Sequence, residues 1–162
     1  MSAKAKLAMV MGTAAAATVI TVTGTSEGLS LQPYWDAIGK VTTYCYGETD
    51  PKDIRPRYTR AECDEKLAAG LLERYVIIRK CVPSMDRLTD GEKVAYLDLA
   101  YNVGAGLVCN NSIPKLIAAD RRVDACEKTK EYVYSRGTWI QGLFNRRVRV
   151  YDVCVRDLKV PT

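Results

Sequence analysis

The sequence predicts an α+β fold, in which a small N-terminal lobe holds a short β-sheet, a larger C-terminal lobe is helical, and an apolar N-terminal helix precedes both. Residues 41–46 are mostly β-branched or aromatic and lie between two glycines, which is typical of a strand. The segments that begin at Thr59 and Thr89 carry helix start signals. Residues 7–26 contain no charged side chain, which sets them apart from the rest of the chain.

The predicted helices follow from capping signals and from the spacing of apolar residues. Thr59 and Glu62 resemble a capping box, and Pro83 ends the helix that they begin because proline does not continue a helix. A similar start at Thr89 is followed by apolar residues at helical spacing. These signals predict helices over 59–80, 89–101, 112–119, 123–133 and 146–158, the last one basic, with Val150, Val153 and Cys154 facing inward.

Length and composition exclude several kinds of function. The 162 residues leave room for one domain, and about 135 of them remain if the N-terminal segment is set apart. The chain contains no histidine, which removes Ser-His-Asp and Cys-His catalysis and histidine-built zinc sites. Acid–base chemistry near neutral pH then falls to carboxylates, an activated thiol, lysine or tyrosine. The formal charge of +5 suits nucleic acid, a membrane surface or an anionic polymer, and by itself selects none of them.

The six cysteines indicate disulfides. They lie too far apart for the paired ligands of a zinc ribbon, and their number is even, so three bridges would place the domain outside the reducing cytosol. Free buried thiols in a cytosolic domain are the alternative. Six cysteines allow 15 pairings, and spacing does not choose among them. The positions are Cys45, Cys63, Cys81, Cys109, Cys126 and Cys154.

The N-terminus is typical of an export signal. Residues 7–26 follow Lys4 and Lys6, and twenty residues at about 1.5 Å each just span a bilayer core of about 30 Å. Alanine, threonine and glycine dominate the segment, so its affinity for lipid is expected to be marginal. Three fates remain open: cleavage as a signal peptide, permanent anchoring, and anchoring that is later released, which we favour. A buried alanine-rich helix of the domain is disfavoured because no polar face recurs at helical spacing.

Two carboxylates beyond this segment are suited to breaking a glycosidic bond. Glu27 follows the apolar residues directly, and Asp36 comes nine residues later. Glycoside cleavage needs one carboxylic acid that protonates the leaving oxygen and one ionised carboxylate that acts at the anomeric carbon. The spacing alone is weak evidence, because 19 acidic residues produce many such pairs and a solvated surface carboxylate is the usual alternative.

Several motifs in the same order resemble the phage lysozyme family, glycoside hydrolase family 24, and among its members the signal-anchor-release endolysins. The resemblance extends from Glu27 to about Leu158. Its motifs are Glu27-Gly28-Leu29, Tyr34-x-Asp36, Thr43-x-Cys45-x-Gly47-x-Thr49, Tyr58-Thr59-x-x-Glu62-Cys63, Tyr101-Asn102-Val103-Gly104-Ala105-Gly106 and Gly142-Leu143-x-x-Arg146-Arg147.

The resemblance implies roles for individual residues. Glu27 is expected to be the general acid, Asp36 the base that prepares a water molecule, and a threonine the residue that helps to hold this water, with inversion at the anomeric carbon. Counting from Asp36 as in the family gives Thr42, whereas the Thr-x-Cys-x-Gly pattern gives Thr43, which we favour. The family often has a histidine where this chain has Glu48, a departure that bears on pH optimum or substrate contacts.

Three further residues are expected near the substrate. Tyr101 and Asn102 are expected to line a groove, although a plain helix end on glycine explains the same segment. Arg146 matches an arginine of the family that packs near the acid, and a solvated basic helix is the alternative. An adjacent cation favours the ionised form of an acid, so burial has to outweigh it if Glu27 is to give up a proton.

The resemblance also implies a lysozyme-like fold, a catalytic domain over 27–162 behind a releasable anchor over 1–26, and disulfides Cys45–Cys63, Cys81–Cys109 and Cys126–Cys154. It predicts a monomeric muramidase that cleaves the β-1,4 bond between N-acetylmuramic acid and N-acetylglucosamine for host cell lysis, without metal or cofactor. Its partners would be peptidoglycan and, through the N-terminus, the inner membrane, with no nucleic acid. The enzyme would be exported to the periplasm of the bacterial host and would at first be tethered to the inner membrane.

The anchor and the acid are neighbours in sequence, since Ser26 alone separates Glu27 from the end of the threonine-rich run. We hypothesise that membrane insertion keeps the enzyme inactive and that release lets residues near 20–30 repack around Glu27. Three alternatives stay open: a non-catalytic wall-binding module stapled by disulfides, a lytic transglycosylase, and a membrane-anchored structural protein. The presence of Asp36 favours hydrolysis over transglycosylation.

Overall fold

Eight α-helices and two small antiparallel β-hairpins form the part of the chain that the computed structural model describes, residues 1–158. The helices are α1 Ala3–Met11, α2 Thr13–Glu27, α3 Arg60–Cys81, α4 Asp90–Val103, α5 Ala105–Asn110, α6 Ile113–Ala118, α7 Arg122–Lys128 and α8 Gln141–Val155. The strands are β1 Ser30–Asp36, β2 Val41–Cys45, β3 Tyr134–Ser135 and β4 Thr138–Trp139. Short 3₁₀ helices cover Pro51–Asp53, Met85–Arg87 and Thr129–Glu131. This architecture confirms the predicted α+β fold.

The predicted helix starts are confirmed at both capping boxes. The Thr59 side chain accepts a hydrogen bond from the Glu62 amide, and the Glu62 carboxylate accepts one from the Thr59 amide. The same reciprocal pair forms at Thr89 and Glu92, where α4 begins. These bonds satisfy amide groups that the first turn of a helix otherwise leaves unpaired.

Other boundaries differ from the predictions. The helix expected over 123–133 is shorter, because α7 ends at Lys128 and the chain continues as a 3₁₀ turn. Helix α8 begins at Gln141, five residues before the predicted start, although its first turn contains a glycine. Strand β1 was missed because it contains Pro33, and proline argues against a strand, although a two-stranded hairpin tolerates it at an edge. Helix α5 was missed because Gly104 and Gly106 indicated only a helix end.

The N-terminal segment forms two helices rather than one. They meet at Gly12, whose φ of +94° is a conformation that glycine adopts easily, and they are bent by 120°. Within residues 1–158 no single helix is long and apolar enough to cross a membrane, although α1 and α2 together meet those criteria of length and composition. Leu7, Met11 and Val19 are buried in the core. The expectation that this segment would not be a buried helix of the domain is therefore wrong for this structure, because the apolar side chains pack against α3 and α4 instead of forming one regular stripe.

Polar contacts fix the first helix at both ends. The Glu65 carboxylate accepts a hydrogen bond of 2.7 Å from the Ala3 amide at the start of α1, where the helix dipole favours a negative charge. At the other end the Tyr75 hydroxyl lies 2.9 Å from the Val10 carbonyl. The N-terminal helices are thus specifically packed parts of the domain in this structure.

Helix α4 passes through the centre of the helical lobe, and residues 91–100 are all buried. It approaches α8 closely, because a Cβ added at Gly91 would lie 2.1 Å from the Val153 carbonyl oxygen. Only glycine permits this backbone contact. The close approach sets the relative position of the two helices that carry the buried charges described below.

Three disulfides link neighbouring elements, and the described residues contain no free cysteine. Cys45–Cys63 joins the end of β2 to α3, Cys81–Cys109 joins α3 to α5, and Cys126–Cys154 joins α7 to α8. These are the three pairs that the resemblance implied.

Candidate active site

Glu27 is the last residue of α2, and the positive φ of Gly28 turns the chain away from the helix toward β1. Its side chain is 23% exposed, so the carboxylate is partly withdrawn from water but still accessible. The position of Glu27 therefore depends on how α2 is packed, and α2 is packed mainly against α4.

Arg146 of α8 forms a salt bridge with the Glu27 carboxylate. Its Nη1 donates a hydrogen bond of 2.7 Å to Glu27 Oε1, and only 5% of the arginine side chain is exposed. Burial opposes the charge of this guanidinium, but hydrogen bonds and charges from Asp98 and Glu27 outweigh it, and the pKa of Arg146 is raised. The arginine is thus a permanent cation beside Glu27, where the resemblance placed it.

A fully buried carboxylate orients that arginine. Asp98 of α4 accepts hydrogen bonds from Arg146 Nε at 2.9 Å and from Arg146 Nη2 at 2.8 Å. The hydroxyl of Thr23, one turn before Glu27 on α2, also donates to Asp98. Arg147 Nη1 lies 3.5 Å from the same carboxylate. Three helices therefore meet at Asp98.

Asp98 was not among the residues singled out from the sequence. A signal for it exists, since an aspartate between Leu97 and Leu99 stands in the apolar middle of a helix. Buried carboxylates of this kind are rare unless they are paired. The partners could not be inferred, because they lie 75 positions earlier and 48 positions later in the chain.

Asp36 and Thr43 lie on the β1–β2 hairpin. In the antiparallel register Asp36 pairs with Val41 and Thr43 pairs with Tyr34. Cross-strand partners share a face and side chains alternate along a strand, so Asp36, Tyr34 and Thr43 share one face of the hairpin, whereas Thr42 lies on the other. The geometry therefore favours Thr43 over Thr42 as the partner of Asp36.

The immediate contacts of these two residues are few. Asp36 Oδ1 accepts a hydrogen bond of 2.9 Å from the Ile38 amide in the turn, so it caps the hairpin loop. Thr43 is 5% exposed, and its hydroxyl is the one buried side-chain polar atom without a hydrogen-bond partner within residues 1–158.

A groove of about 610 Å³ opens beside Glu27. Both lobes line it, because its walls come from the turn after β2, from α3 and from α4. The lining residues are Glu27, Tyr44, Tyr46, Gly47, Glu48, Thr49, Asp50, Asp53, Lys66, Ala69, Gly70, Glu73, Arg74 and Tyr101. Among the predicted site residues, the groove brings together Glu27 and Tyr101. It does not include Asp36, Thr43, Asn102 or Arg146. The Asn102 Oδ1 instead accepts a hydrogen bond from Arg147.

Glu48 adds a second carboxyl to this groove. Burial raises its pKa, and the nearby charges of Lys66 and Arg74 and the hydroxyl of Tyr101 act in the opposite direction. Burial likewise raises the pKa of Tyr101, and the negative charges of Glu48 and Glu27 raise it further. The Tyr101 hydroxyl therefore stays protonated and lies near both carboxyls.

A glycine on α3 gives the Tyr101 ring its space. A Cβ at Gly70 would lie 3.2 Å from the Tyr101 ring and 3.3 Å from Arg74 Nη1. The Arg74 guanidinium stacks over that ring with its carbon 4.6 Å from the ring centre. Glycine inside a helix is unfavourable by about 1 kcal/mol relative to alanine, so here close packing accounts for its presence.

Comparisons with known proteins agree with this arrangement. The family model described as phage lysozyme matches residues 24–149, which include Glu27, the β1–β2 hairpin and most of the helical lobe. The chain belongs to the phage lysozyme family. The SAR-endolysin of bacteriophage PS119 is 32% identical over 157 residues, which cover 92% of this chain and 91% of that protein. The SAR-endolysin of Enterobacteria phage P21 is also 32% identical, over 94% of each chain.

Solved structures of a phage endolysin show a similar fold. The active form of the P1 phage endolysin Lyz superposes with a TM-score of 0.77, covering 89% of this chain and 86% of that one at 21% identity. The secreted inactive form of the same endolysin superposes with a TM-score of 0.54 over 67% of this chain and 78% of that one, at 20% identity. The fold of this phage lysozyme family member is thus more similar to the active form of that endolysin than to its secreted inactive form. Among its residues 1–158, no group of three or more acidic or cysteine side chains is arranged to hold a metal ion.

Proposed function

We propose that this protein is an endolysin muramidase that hydrolyses the β-1,4 bond between N-acetylmuramic acid and N-acetylglucosamine in peptidoglycan. The observation that carries the proposal is the position of Glu27, a partly buried carboxyl that is hydrogen bonded to Arg146 and borders the groove between the lobes of a phage lysozyme fold. The groove has carboxyl and tyrosine hydroxyl groups along its walls, which suit the hydroxyls and acetamido groups of sugars.

The proposed reaction is a single displacement with inversion. Glu27 donates its proton to the glycosidic oxygen as the bond from that oxygen to the anomeric carbon breaks. A water molecule attacks the anomeric carbon from the opposite face, and Asp36 accepts the proton of this water. Thr43 has an unpaired hydroxyl on the hairpin face that it shares with Asp36, so it is the residue proposed to help position the water.

One groove residue, Tyr101, is proposed to contact the glycan, and its neighbour Asn102 is proposed to support the site. The Tyr101 hydroxyl remains protonated and can donate a hydrogen bond to a sugar oxygen. Its ring is held by the Arg74 stack, so little side-chain freedom is lost on binding. Asn102 is proposed to support the site indirectly, since its side chain accepts a hydrogen bond from Arg147 and does not line the groove.

The test is an assay of the full chain on purified peptidoglycan sacculi. The full chain is needed because α1 and α2 contribute to the core. New reducing ends are expected, and replacing Glu27 by glutamine is expected to lower the rate by a factor of about 10² to 10⁴ without a loss of Tm. The matched control is Glu131→Gln. Glu131 is exposed and does not line the groove, so this variant is expected to keep the rate of the parent chain.

The products separate the proposed reaction from its alternatives. Anhydro-muramic ends would assign a lytic transglycosylase, and released amino groups would assign an amidase or peptidase. Binding to sacculi without turnover, unchanged by Glu27→Gln, would assign a wall-binding module. Each of these results would overturn the muramidase proposal.

We further propose that residues 1–26 first insert in the inner membrane during export and are later released to fold as α1 and α2. The weakly apolar composition of the segment supports this, as do its packing into the domain and the SAR-endolysin relatives. A segment that spans a bilayer cannot place Thr23 against Asp98 or Glu27 against Arg146. Activity would then begin only after release into the periplasm.

Three exposed threonines allow a test that leaves the folded core unchanged. Thr13, Thr21 and Thr25 are exposed on α2, so leucine at these positions adds apolar surface without filling the core. Leucine stabilises a membrane segment relative to threonine. The triple leucine variant is expected to stay in the membrane fraction and lyse cells late, whereas a triple serine control is released. Normal release and full lysis by the leucine variant would contradict the proposal.

A further inference from the structure

Four charged side chains are gathered behind the groove, and three of them are almost completely buried. Asp98, Arg146 and Arg147 have exposed side-chain fractions of 0%, 5% and 0%, and Glu27 is the fourth member at the edge of the groove. Three different helices contribute them. Of the four members of this charged cluster, only Glu27 takes part in the reaction described above, so the other three need a separate explanation.

The cluster raises a chemical difficulty for a general acid. A cation within hydrogen-bond distance favours the ionised form of a carboxyl group. Arg146 is such a cation, and it lies 2.7 Å from Glu27. A second guanidinium, that of Arg147, follows directly in the sequence and is also buried. Glu27 has to hold a proton until it meets the glycosidic oxygen, so something has to limit this effect.

We propose that Asp98 is a positioning residue for the catalytic acid Glu27. Asp98 orients the Arg146 guanidinium so that one edge of it faces Glu27. The negative charge of Asp98 also offsets the positive charge of the two arginines, so that Glu27 retains its proton. This inference rests on the proposed role of Glu27 as the general acid.

The hydrogen bonds show how the positioning works. Asp98 accepts from Nε and Nη2 of Arg146, which form one edge of the guanidinium plane. Nη1 is left on the other side, and it donates to Glu27. A paired contact of this kind fixes the plane of the guanidinium as well as its position. Thr23 donates to Asp98 Oδ1 at 2.9 Å, which aligns α2 with the same carboxylate.

The balance of charge shows how the proton is retained. With Glu27 ionised, two carboxylates and two guanidiniums leave the cluster neutral, and protonation of Glu27 raises its charge to +1. Without Asp98 the corresponding charges are +1 and +2, so protonation of Glu27 becomes less favourable. On the groove side Glu27 faces Tyr101 of α4, which is also near Glu48. Neither group is an acceptor for Arg146 among the described residues, so neither takes the place of Asp98.

The test measures the pH at which Glu27 loses its proton and the pH above which activity falls. In the full-length folded chain, Asp98→Asn keeps the shape of the side chain and removes its charge. Both pH values are expected to move downward together by about one unit or more. The carboxyl carbon of Glu27, observed by ¹³C NMR and assigned with Glu27→Gln, reports its protonation without any turnover, so this measurement stays valid even if the muramidase proposal fails.

Two further variants separate a role in charge balance from a merely structural one. Asp90→Asn removes the same charge from an exposed position on the same helix and is expected to leave both pH values unchanged. Asp98→Asn combined with Arg147→Gln removes one charge of each sign, and the pH values are expected to return toward those of the parent chain. This double variant also avoids an uncompensated buried charge, which favours folding.

A purely structural Asp98 would give a different pattern. Asp98→Asn would then lower the Tm and leave both pH values where they are in the parent chain. That result would overturn the proposal, and so would a double variant in which the pH values move downward as far as in Asp98→Asn.

Discussion

The Thr23 hydroxyl donates a hydrogen bond of 2.9 Å to Asp98, which joins the N-terminal segment to the buried centre of the helical lobe. Glu27 lies one turn further along the same helix and contacts Arg146, which is also a partner of Asp98. Both contacts are made by α2. The packing of α2 in the domain therefore also determines the position of the candidate acid, Glu27.

Replacing Thr23 by valine tests the energy of this contact. Valine has nearly the same shape but cannot donate, so Asp98 loses one hydrogen bond in a site that water does not reach. We expect a loss of about 1–3 kcal/mol in the free energy of unfolding, measured by chemical denaturation. Thr25→Val on the exposed side of α2 is the control, and an equal loss in both variants would contradict the prediction.

Gly24 tests the packing of α2 against the hairpin lobe. A Cβ at this position would lie 3.2 Å from the Tyr46 ring and 3.4 Å from Leu67. Gly24→Ala is expected to destabilise the domain by about 1–3 kcal/mol, because the neighbouring ring has to move. Gly142→Ala in α8 meets no atom within 4 Å and is expected to be neutral or stabilising. Thermal unfolding of the two variants provides the comparison.

Glu48 and Glu62 are expected to have opposite effects on the pH dependence of stability. Burial raises the pKa of Glu48 above 4.5, so its contribution to stability is present at low pH and is lost as the pH rises. The Thr59 amide, helped by Arg55, lowers the pKa of Glu62 from 4.5 to about 2, so its contribution is present above pH 4.5 and is lost as the pH falls toward 2.

Glutamine variants make this contrast measurable. At pH 7 Glu48→Gln is expected to raise the Tm and Glu62→Gln to lower it. Both differences should shrink in acid, the first below about pH 4.5 and the second toward pH 2. A Glu48→Gln variant less stable than the parent at pH 7 would show that its ionised form is stabilising.

The disulfides allow loop closure to be separated from burial. Cys81–Cys109 and Cys126–Cys154 both span 28 positions, so loop-closure entropy predicts about the same stabilisation for each, roughly 3–4 kcal/mol. Cys126 and Cys154 are completely buried, whereas Cys81 and Cys109 are partly exposed.

Removing each bridge with a pair of alanines is therefore expected to cost more at Cys126 and Cys154, where a buried cavity adds to the lost constraint. Denaturant unfolding of the two double variants measures the difference. Equal losses would show that burial contributes nothing. Peptide mapping of the parent chain without reductant is expected to recover the three bridges and gives the reference state.

Local signals in the sequence predicted much of this structure. The capping boxes at Thr59 and Thr89 depend on residues three positions apart, so they could be recognised without knowledge of the fold. The family motifs pointed to Glu27 and Arg146, which lie next to each other in the structure. The Thr-x-Cys-x-Gly pattern also favoured Thr43 over Thr42, as the strand register does.

Long-range relationships could not be predicted in the same way. An apolar run such as residues 7–26 is equally suited to lipid and to a protein core, so composition did not reveal that Leu7 and Met11 would be buried within the domain. The role of Asp98 depends on partners from two other helices. Asn102 was expected in the groove, but its contact with Arg147 depends on the orientation of α8, which no local pattern encodes.

The bend at Gly12 makes two conformations of the N-terminus mutually exclusive. A continuous helix long enough to cross a bilayer and a pair of helices bent by 120° cannot be formed by the same residues at the same time. A continuous helix over residues 3–27 removes either α1 or α2 from its present packing, and Thr23 and Glu27 keep their partners only while α2 stays in place. The integrity of the candidate site therefore depends on where the second helix lies, because Thr23 and Glu27 both belong to it.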